Sequence, residues 1–366
     1  MGLHGNSATH DAEARILRRI TERAGAADRG ETTLAPDLAA LHDAGLLAAL
    51  VAGAGVGGDT GTGARLLRRI GRASLPVGRI VEGHANALRL IQLYATSRQR
   101  ATFGAIAAQG GLFGVWGADG RDPVTFALTG KETGVLTGAK MFCSGLGLLS
   151  VAVVPVKTDA GPLLLLVRAD DSDRADRSAW NVSGMRATAS GRYDLTGVAA
   201  EVLGRPGDFL REPNFEGGIW RYCALHCGGL EALAEGVRAH LRERGQAAQP
   251  QQAARIARMV LLAQTARLWV EASSGAVERA ALLGGDVVTS SVTQVLLARE
   301  AVETACTEGI ALAERAVGTA AFAASSDVDR IRRDLGFFLR QANLDGKLTQ
   351  AAEALMADPA PVGEMW

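Results

Sequence analysis

The chain is short of the residues that carry out most unaided chemistry. Its 366 residues include four cysteines, Cys143, Cys223, Cys227 and Cys306, and six histidines. Cysteines this few and this scattered make neither a disulfide framework nor a four-thiolate zinc site, and they fit a reducing cytoplasm. Neither sign of charge dominates, with 39 Lys plus Arg against 39 Asp plus Glu, so no net field draws the chain to nucleic acid or to an anionic membrane. Apolar runs are short, Pro162 to Val167 being among the longest, which excludes a membrane span. The opening "MGLHGNSATHDAEARI" lacks the apolar core of a signal peptide, and Asn6 breaks the myristoylation pattern. G-x-S-x-G, Walker and H-E-x-x-H strings are all missing, so hard chemistry here would belong to a bound cofactor.

What is present is a large apolar fraction, 48%, enough for a sizeable core, and a clear change of texture along the chain. Residues 1–110 repeat apolar positions at three and four, as in "LAPDLAALHDAGLLAALV", the spacing of amphipathic helices. Residues 111–210 break into short β-rich runs such as "VTFALTG", "LSVAVVPVK" and "PLLLLVRA", bounded by Gly, Asp and Pro. Six or more strands without intervening helices point to an antiparallel barrel or sandwich. Residues 211–366 return to long helical patterns. The expectation is an α+β protein of three domains: an N-terminal helical domain, a middle antiparallel β-barrel and a C-terminal four-helix bundle.

Three local patterns invite a functional reading. "GAGVGG" at 53–58 satisfies G-x-G-x-x-G, but the segment before it is helical and no βαβ unit surrounds it, so a glycine-rich loop between helices is expected. Cys223, His226 and Cys227 lie within one helical turn, yet no second ligand pair is spaced for a metal, and buried packing is expected. "VEGHANAL" crowds Glu82, His84 and Asn86 into an otherwise apolar helix, where polar groups need partners or a cavity. That makes His84 a candidate for lining a site.

The order of modules and several strings resemble the acyl-CoA dehydrogenase family of flavoproteins over nearly the whole chain. "LTGAKMFCSG" is similar to the family string in which an aromatic shields the flavin and a hydroxyl lies near flavin N5, which assigns these roles to Phe142 and Ser144. The resemblance further implies backbone contacts to flavin at Val115 and Trp116, and places Arg186, Thr188 and Ser190 on the cofactor side. It sets Arg221 with Glu82, His84 and Asn86 in the substrate pocket. It also implies that Arg244, in the hairpin before Gln252, reaches the pyrophosphate of a neighbouring subunit, and that Val317, Gly318 and Thr319 meet the adenylate portion. An arginine fork suits a phosphate. The implied cofactor is FAD, with FMN the alternative, and the implied assembly is a homodimer or a dimer of dimers.

The sequence also departs from the family pattern. Counting from Arg333 and Asp334, the position of the family's catalytic glutamate holds Ala342, and the alternative base position on the first bundle helix holds Trp220. Trp116 stands where the family has a threonine. General-base catalysis is worth about 10² to 10⁴ in rate, so ordinary acyl-CoA desaturation is disfavoured. Three readings remain: a flavin-dependent oxidoreductase acting on another small-molecule substrate with His84 as base, a two-component monooxygenase served by a flavin reductase, or a non-catalytic scaffold.

Overall fold

The computed structural model describes residues 4–55, 57–341 and 343–365. Ala342 lies outside the described residues, as does Val56 of the glycine-rich motif.

Six helices come first: α1 (His4–Asp28), α2 (Ala35–Asp43), α3 (Leu46–Ala54), α4 (Thr60–Ala73), α5 (Leu75–Tyr94) and α6 (Ser97–Ala108). Their starts follow capping chemistry. The Asp59 side chain accepts Gly61 N–H at the head of α4, and Thr96 with Gln99 forms a full capping box on α6. The glycines of 53–58 serve helix contact: a Cβ on Gly53 would stand 2.8 Å from Gly63 N, so α3 and α4 touch backbone to backbone there.

The strands are β1 (Leu112–Val115), β2 (Thr125–Leu128), β3 (Thr133–Thr137), β4 (Ala139–Lys140), β5 (Leu149–Val156), β6 (Leu163–Arg168), β7 (Ala175–Asp176), β8 (Arg192–Asp194) and β9 (Ala199–Leu203). They form two sheets, ordered β1-β5-β6-β9-β3-β2 and β4-β8-β7. This corrects the expected barrel in two respects. Neither sheet closes on itself, and β1 runs parallel to β5 while the other pairs are antiparallel. The long excursion through β2 to β4 supplies the connection that a parallel pair needs. The free edge of β1 faces α5 instead of another strand: Phe113 N–H donates to His84 Nδ1 at 3.2 Å. One face of the larger sheet (Phe113, Val151, Val153, Leu164, Leu166) packs on Leu88 and Ile91 of α5, while Ala152, Val154, Leu165 and Val167 join the main core with Trp116 and Tyr193.

The remaining helices are α7 (Trp220–Glu243), α8 (Pro250–Leu283), α9 (Val287–Val317), α10 (Asp327–Phe338) and α11 (Leu344–Ala357). The first three pack on one another, with α10 against α7 and α9. Helix α4 crosses α7 so closely that a Cβ on Gly228 would come within 2.0 Å of the Arg68 carbonyl oxygen. Cys223, Cys227 and Cys306 are fully buried and unpaired, and burial pushes the Cys223 and Cys227 thiols up to about 12, as suits inert packing groups. Among the described residues no single helix is long and apolar enough to cross a membrane.

Candidate functional site

The end of β1 meets the middle of α5 at a narrow cleft. Arg79 and Gly83 line it from α5, Val115 from β1 and Trp116 from just beyond it, with Ser144 and Leu149 completing the walls. Its volume is about 10 Å³, room for roughly one water. Trp116 is 2% exposed: its N–H continues the ladder to Val153 O at 3.0 Å, its ring lies 4.8 Å from Tyr193, and its Nε1 donates to Ser144 O at 3.1 Å. The Trp116 indole therefore holds the Ser144 loop in place. Strand alternation points Val115 N–H to the same side as Phe113 N–H, toward the cleft.

Phe142 lies next to this loop but outside the cleft. Its φ is 54°, a left-handed conformation unusual for a bulky residue, and its ring is 63% exposed. The covered edge of the ring meets Trp180 at 6.3 Å, and Trp180 in turn meets Phe337 of α10 at 5.5 Å, both T-shaped. Ser190 Oγ donates to Ser144 Oγ at 3.2 Å, and Thr188 Oγ1 lies 2.8 Å from Ser190 Oγ, so three hydroxyls run in line from the interior to Ser144.

The loop that carries those hydroxyls is held from a distance. Met185 and Ala189 both have positive φ, 57° and 47°. Met185 N–H donates to Asp334 Oδ1 at 2.6 Å, and Arg186 and Arg333 converge on Asp28 at the end of α1. Burial pushes Asp334 up to about 6, against the hydrogen bond from Met185. Sequence reasoning used Arg333 and Asp334 only as a register mark. In the fold they tie α10 to the loop beside Ser144 and to α1. Asp28 and Trp180 were missed altogether, and Lys140 was noted only as part of the string around Phe142. The ammonium of Lys140 is buried against Asp119 at 2.6 Å and Pro155 O at 2.8 Å, and it anchors the turn that follows β1.

On α5, Glu82, His84 and Asn86 are each engaged. Glu82 receives Arg79 and the Asn86 amide, and Asn86 Oδ1 accepts from Arg221 Nε at 2.5 Å. Burial drops the His84 pKa to about 4, with the positive charge of His42 adding to the effect. With Nδ1 accepting from the backbone, the neutral ring carries its proton on Nε2 and serves as a cap on β1. In this arrangement its basic nitrogen is already occupied. Arg221 is 4% exposed, and its pKa is lowered to about 10 by burial first and by Arg89 second. The adjacent Trp220 is fully buried.

Arg244 and the 317–319 turn lie apart from the cleft, at one end of the bundle. Arg244 is exposed at the end of α7, and Gly318 and Thr319 are exposed at the end of α9, with Val317 half-buried. Gln252 Nε2 donates to Ala316 O at 3.1 Å and joins the head of α8 to the turn.

Solved structures with this architecture exist over the full length of the chain. A dibenzothiophene monooxygenase from Paenibacillus sp. A11-2 superposes with a TM-score of 0.80 at 19% identity, covering 98% of this chain and 100% of its own. The acyl-CoA dehydrogenase-like fold is therefore shown. KijD3, solved with FMN and a dTDP-linked amino-keto sugar, matches at TM-score 0.79 and 20% identity, covering 96% of this chain and 94% of its own. The methanesulfinate monooxygenase MsuC from Pseudomonas fluorescens matches at TM-score 0.79 and 19% identity, covering 97% of this chain and 98% of its own. The Paenibacillus enzyme has also been solved with FMN and with FMN and indole. By sequence, no family model and no curated protein matches the chain.

The residues present fit a flavin. An exposed, apolar Phe142 ring offers a face to cover, Ser144 brings a hydroxyl backed by two more, and the β1 edge offers a backbone donor at Val115.

Proposed function

We propose that this chain is a flavin-dependent oxidoreductase, and that its reaction is monooxygenation of a small molecule with reduced flavin delivered by a separate reductase. The observation that carries the reading is the pairing of a flavin-fitting surface at Phe142 and Ser144 with a cleft beside which, among the described residues, no base is free. Glu82 is held by Arg79 and Asn86, His84 has its basic nitrogen occupied, and Trp220 cannot take a proton. Dehydrogenation of an acyl-CoA needs a carboxylate for the α-proton, whereas monooxygenation does not. Two of the structural neighbours are monooxygenases, and two relatives have been solved with FMN, which supports FMN as well as FAD as the cofactor.

Bound in reduced form, the flavin supplies the two electrons with which dioxygen is divided between substrate and water. This chain's own part is to orient and shield. Phe142 would cover a bound flavin, Ser144 would offer it a hydroxyl, and Trp116 and Leu149 would restrict the cleft to about one water. Arg244 and the Val317–Thr319 turn serve the phosphate end of a second copy's cofactor in a homo-oligomer. The experiment is oxygen-dependent product formation with a separate flavin reductase, alongside anaerobic addition of a medium-chain acyl-CoA to the flavin-loaded protein. Unchanged flavin absorbance with the acyl-CoA is expected, and rapid bleaching would overturn the reading in favour of a dehydrogenase.

A further inference from the structure

Charge pairing between α5 and α7 leaves one buried cation over. Arg79 is paired with Glu82, and Arg89 with Glu278 at 2.9 Å. Arg89 and Arg299 are buried to a degree similar to Arg221, and each of them has a carboxylate partner. Arg89 reaches Glu278, Asn214 and the Ala54 carbonyl, and Arg299 reaches Glu303 and the Leu339 carbonyl. Among the described residues Arg221, at 4% exposed, has only Asn86 Oδ1 as a hydrogen-bond acceptor, and no carboxylate comes within ion-pair distance of it, Glu278 and Glu82 acting on it from farther away. Asn86 is neutral and already committed through its amide to Glu82.

The position is unfavourable for a cation on a second count. Arg221 is the second residue of α7, which continues directly from the 3-10 turn Glu216–Ile219, and the first turn of α7 has no acidic side chain to offset the guanidinium. An unpaired charge in this setting is costly to stability unless something else meets it. A ligand oxyanion would meet the guanidinium. From the cleft, Arg79, Glu82, Asn86 and Arg221 form a continuous hydrogen-bonded line along one face of α5 to this point.

We propose that Arg221 is the recognition group for an oxyanion, a carboxylate or sulfur oxyanion carried by a small organic substrate that enters at the Arg79 end of the cleft. The planar guanidinium fork suits such a group, and the neutral Asn86 leaves its charge available. The inference rests on reading the cleft as the substrate end of a flavin site, but its test needs no flavin.

The flavin-free full chain is titrated with butanesulfonate and butyrate at constant ionic strength, beside butyramide and 1-butanol as neutral controls. Tryptophan fluorescence is the readout, since the Trp220 ring lies 5.4 Å from the Arg221 guanidinium. A saturable response to the anions is expected, weakened at least about tenfold in Arg221→Met, with Arg221→Lys retaining a response to anions over the neutral controls. Arg221→Met is also expected to melt at or above the wild-type temperature, because it removes an uncompensated buried charge. Three results would overturn the proposal: no anion response in the wild type, equal binding by Arg221→Met, or a fall of more than about 5 °C in its melting temperature, which would mark a structural cation. Flavin affinity measured on the same variant stays at the wild-type value if the proposal holds. Anion binding by a chain that takes up no flavin would leave this proposal standing and defeat the flavin reading.

Discussion

Asp334 gives a prediction whose size follows from its burial. The carboxyl is 2% exposed, and burial pushes its pKa from an ordinary 3.8 to about 6. The folded chain therefore holds a proton that the unfolded chain has released between about pH 4 and 6, so this group's contribution to stability falls as pH rises through that window and is level above it. At 1.36 kcal/mol per pKa unit the fall amounts to about 3 kcal/mol. Asp334→Asn keeps an oxygen for Met185 N–H but cannot ionise. Urea unfolding of both proteins across this range isolates the effect, because every other titrating group cancels in the difference. Relative to the variant, the wild type should lose about 3 kcal/mol between pH 4 and 7. A difference that stays flat, or that moves in the wild type's favour, would mean that Arg330 and Arg333 stabilise the carboxylate more than burial penalises it. The tie between α10 and the Ser144 side of the fold would then be a full ion pair.

Other perturbations test separate parts of the structure. Gly228→Ala would drive a methyl group into the Arg68 carbonyl at the α4–α7 crossing and should cost roughly 1–3 kcal/mol or more in urea unfolding. Phe142→Gly relieves a positive φ and uncovers no core, so stability should hold within about 1 kcal/mol while flavin affinity, read by fluorescence quenching, falls. Arg244→Ala, at an exposed site, should leave the melting temperature unchanged and lower flavin occupancy on purification; unchanged occupancy would remove Arg244 from the cofactor site.

The order of helices, strands and helices was legible because it is written in local periodicity, which needs no knowledge of partners. The features that escaped are those set by distant pairings. The parallel register of β1 on β5 joins strands with three others between them, and nothing in either strand's alternation specifies its neighbour. Asp28 meets Arg186 and Arg333 across 158 and 305 residues, so an unremarkable aspartate at the end of a helix becomes the meeting point of three elements. The string around Phe142 stood out by its spacing, but its exposed ring and positive φ are visible only in the fold. His84 stood out as a polar residue in an apolar helix, and the fold supplies the partner that such a residue needs in the backbone of β1. The converse holds for Arg221, whose significance is the carboxylate it lacks, and an absent partner leaves no mark in a sequence.

The central claim is a flavin site built on Phe142 and Ser144, and the most direct test is a titration of the purified chain with FMN and FAD in oxidised and reduced forms. Saturable binding is expected, with perturbed flavin absorbance and quenched fluorescence, and with affinity reduced in Phe142→Gly. A chain that leaves the flavin spectrum unchanged in both redox states would contradict the claim and leave the fold serving as a scaffold.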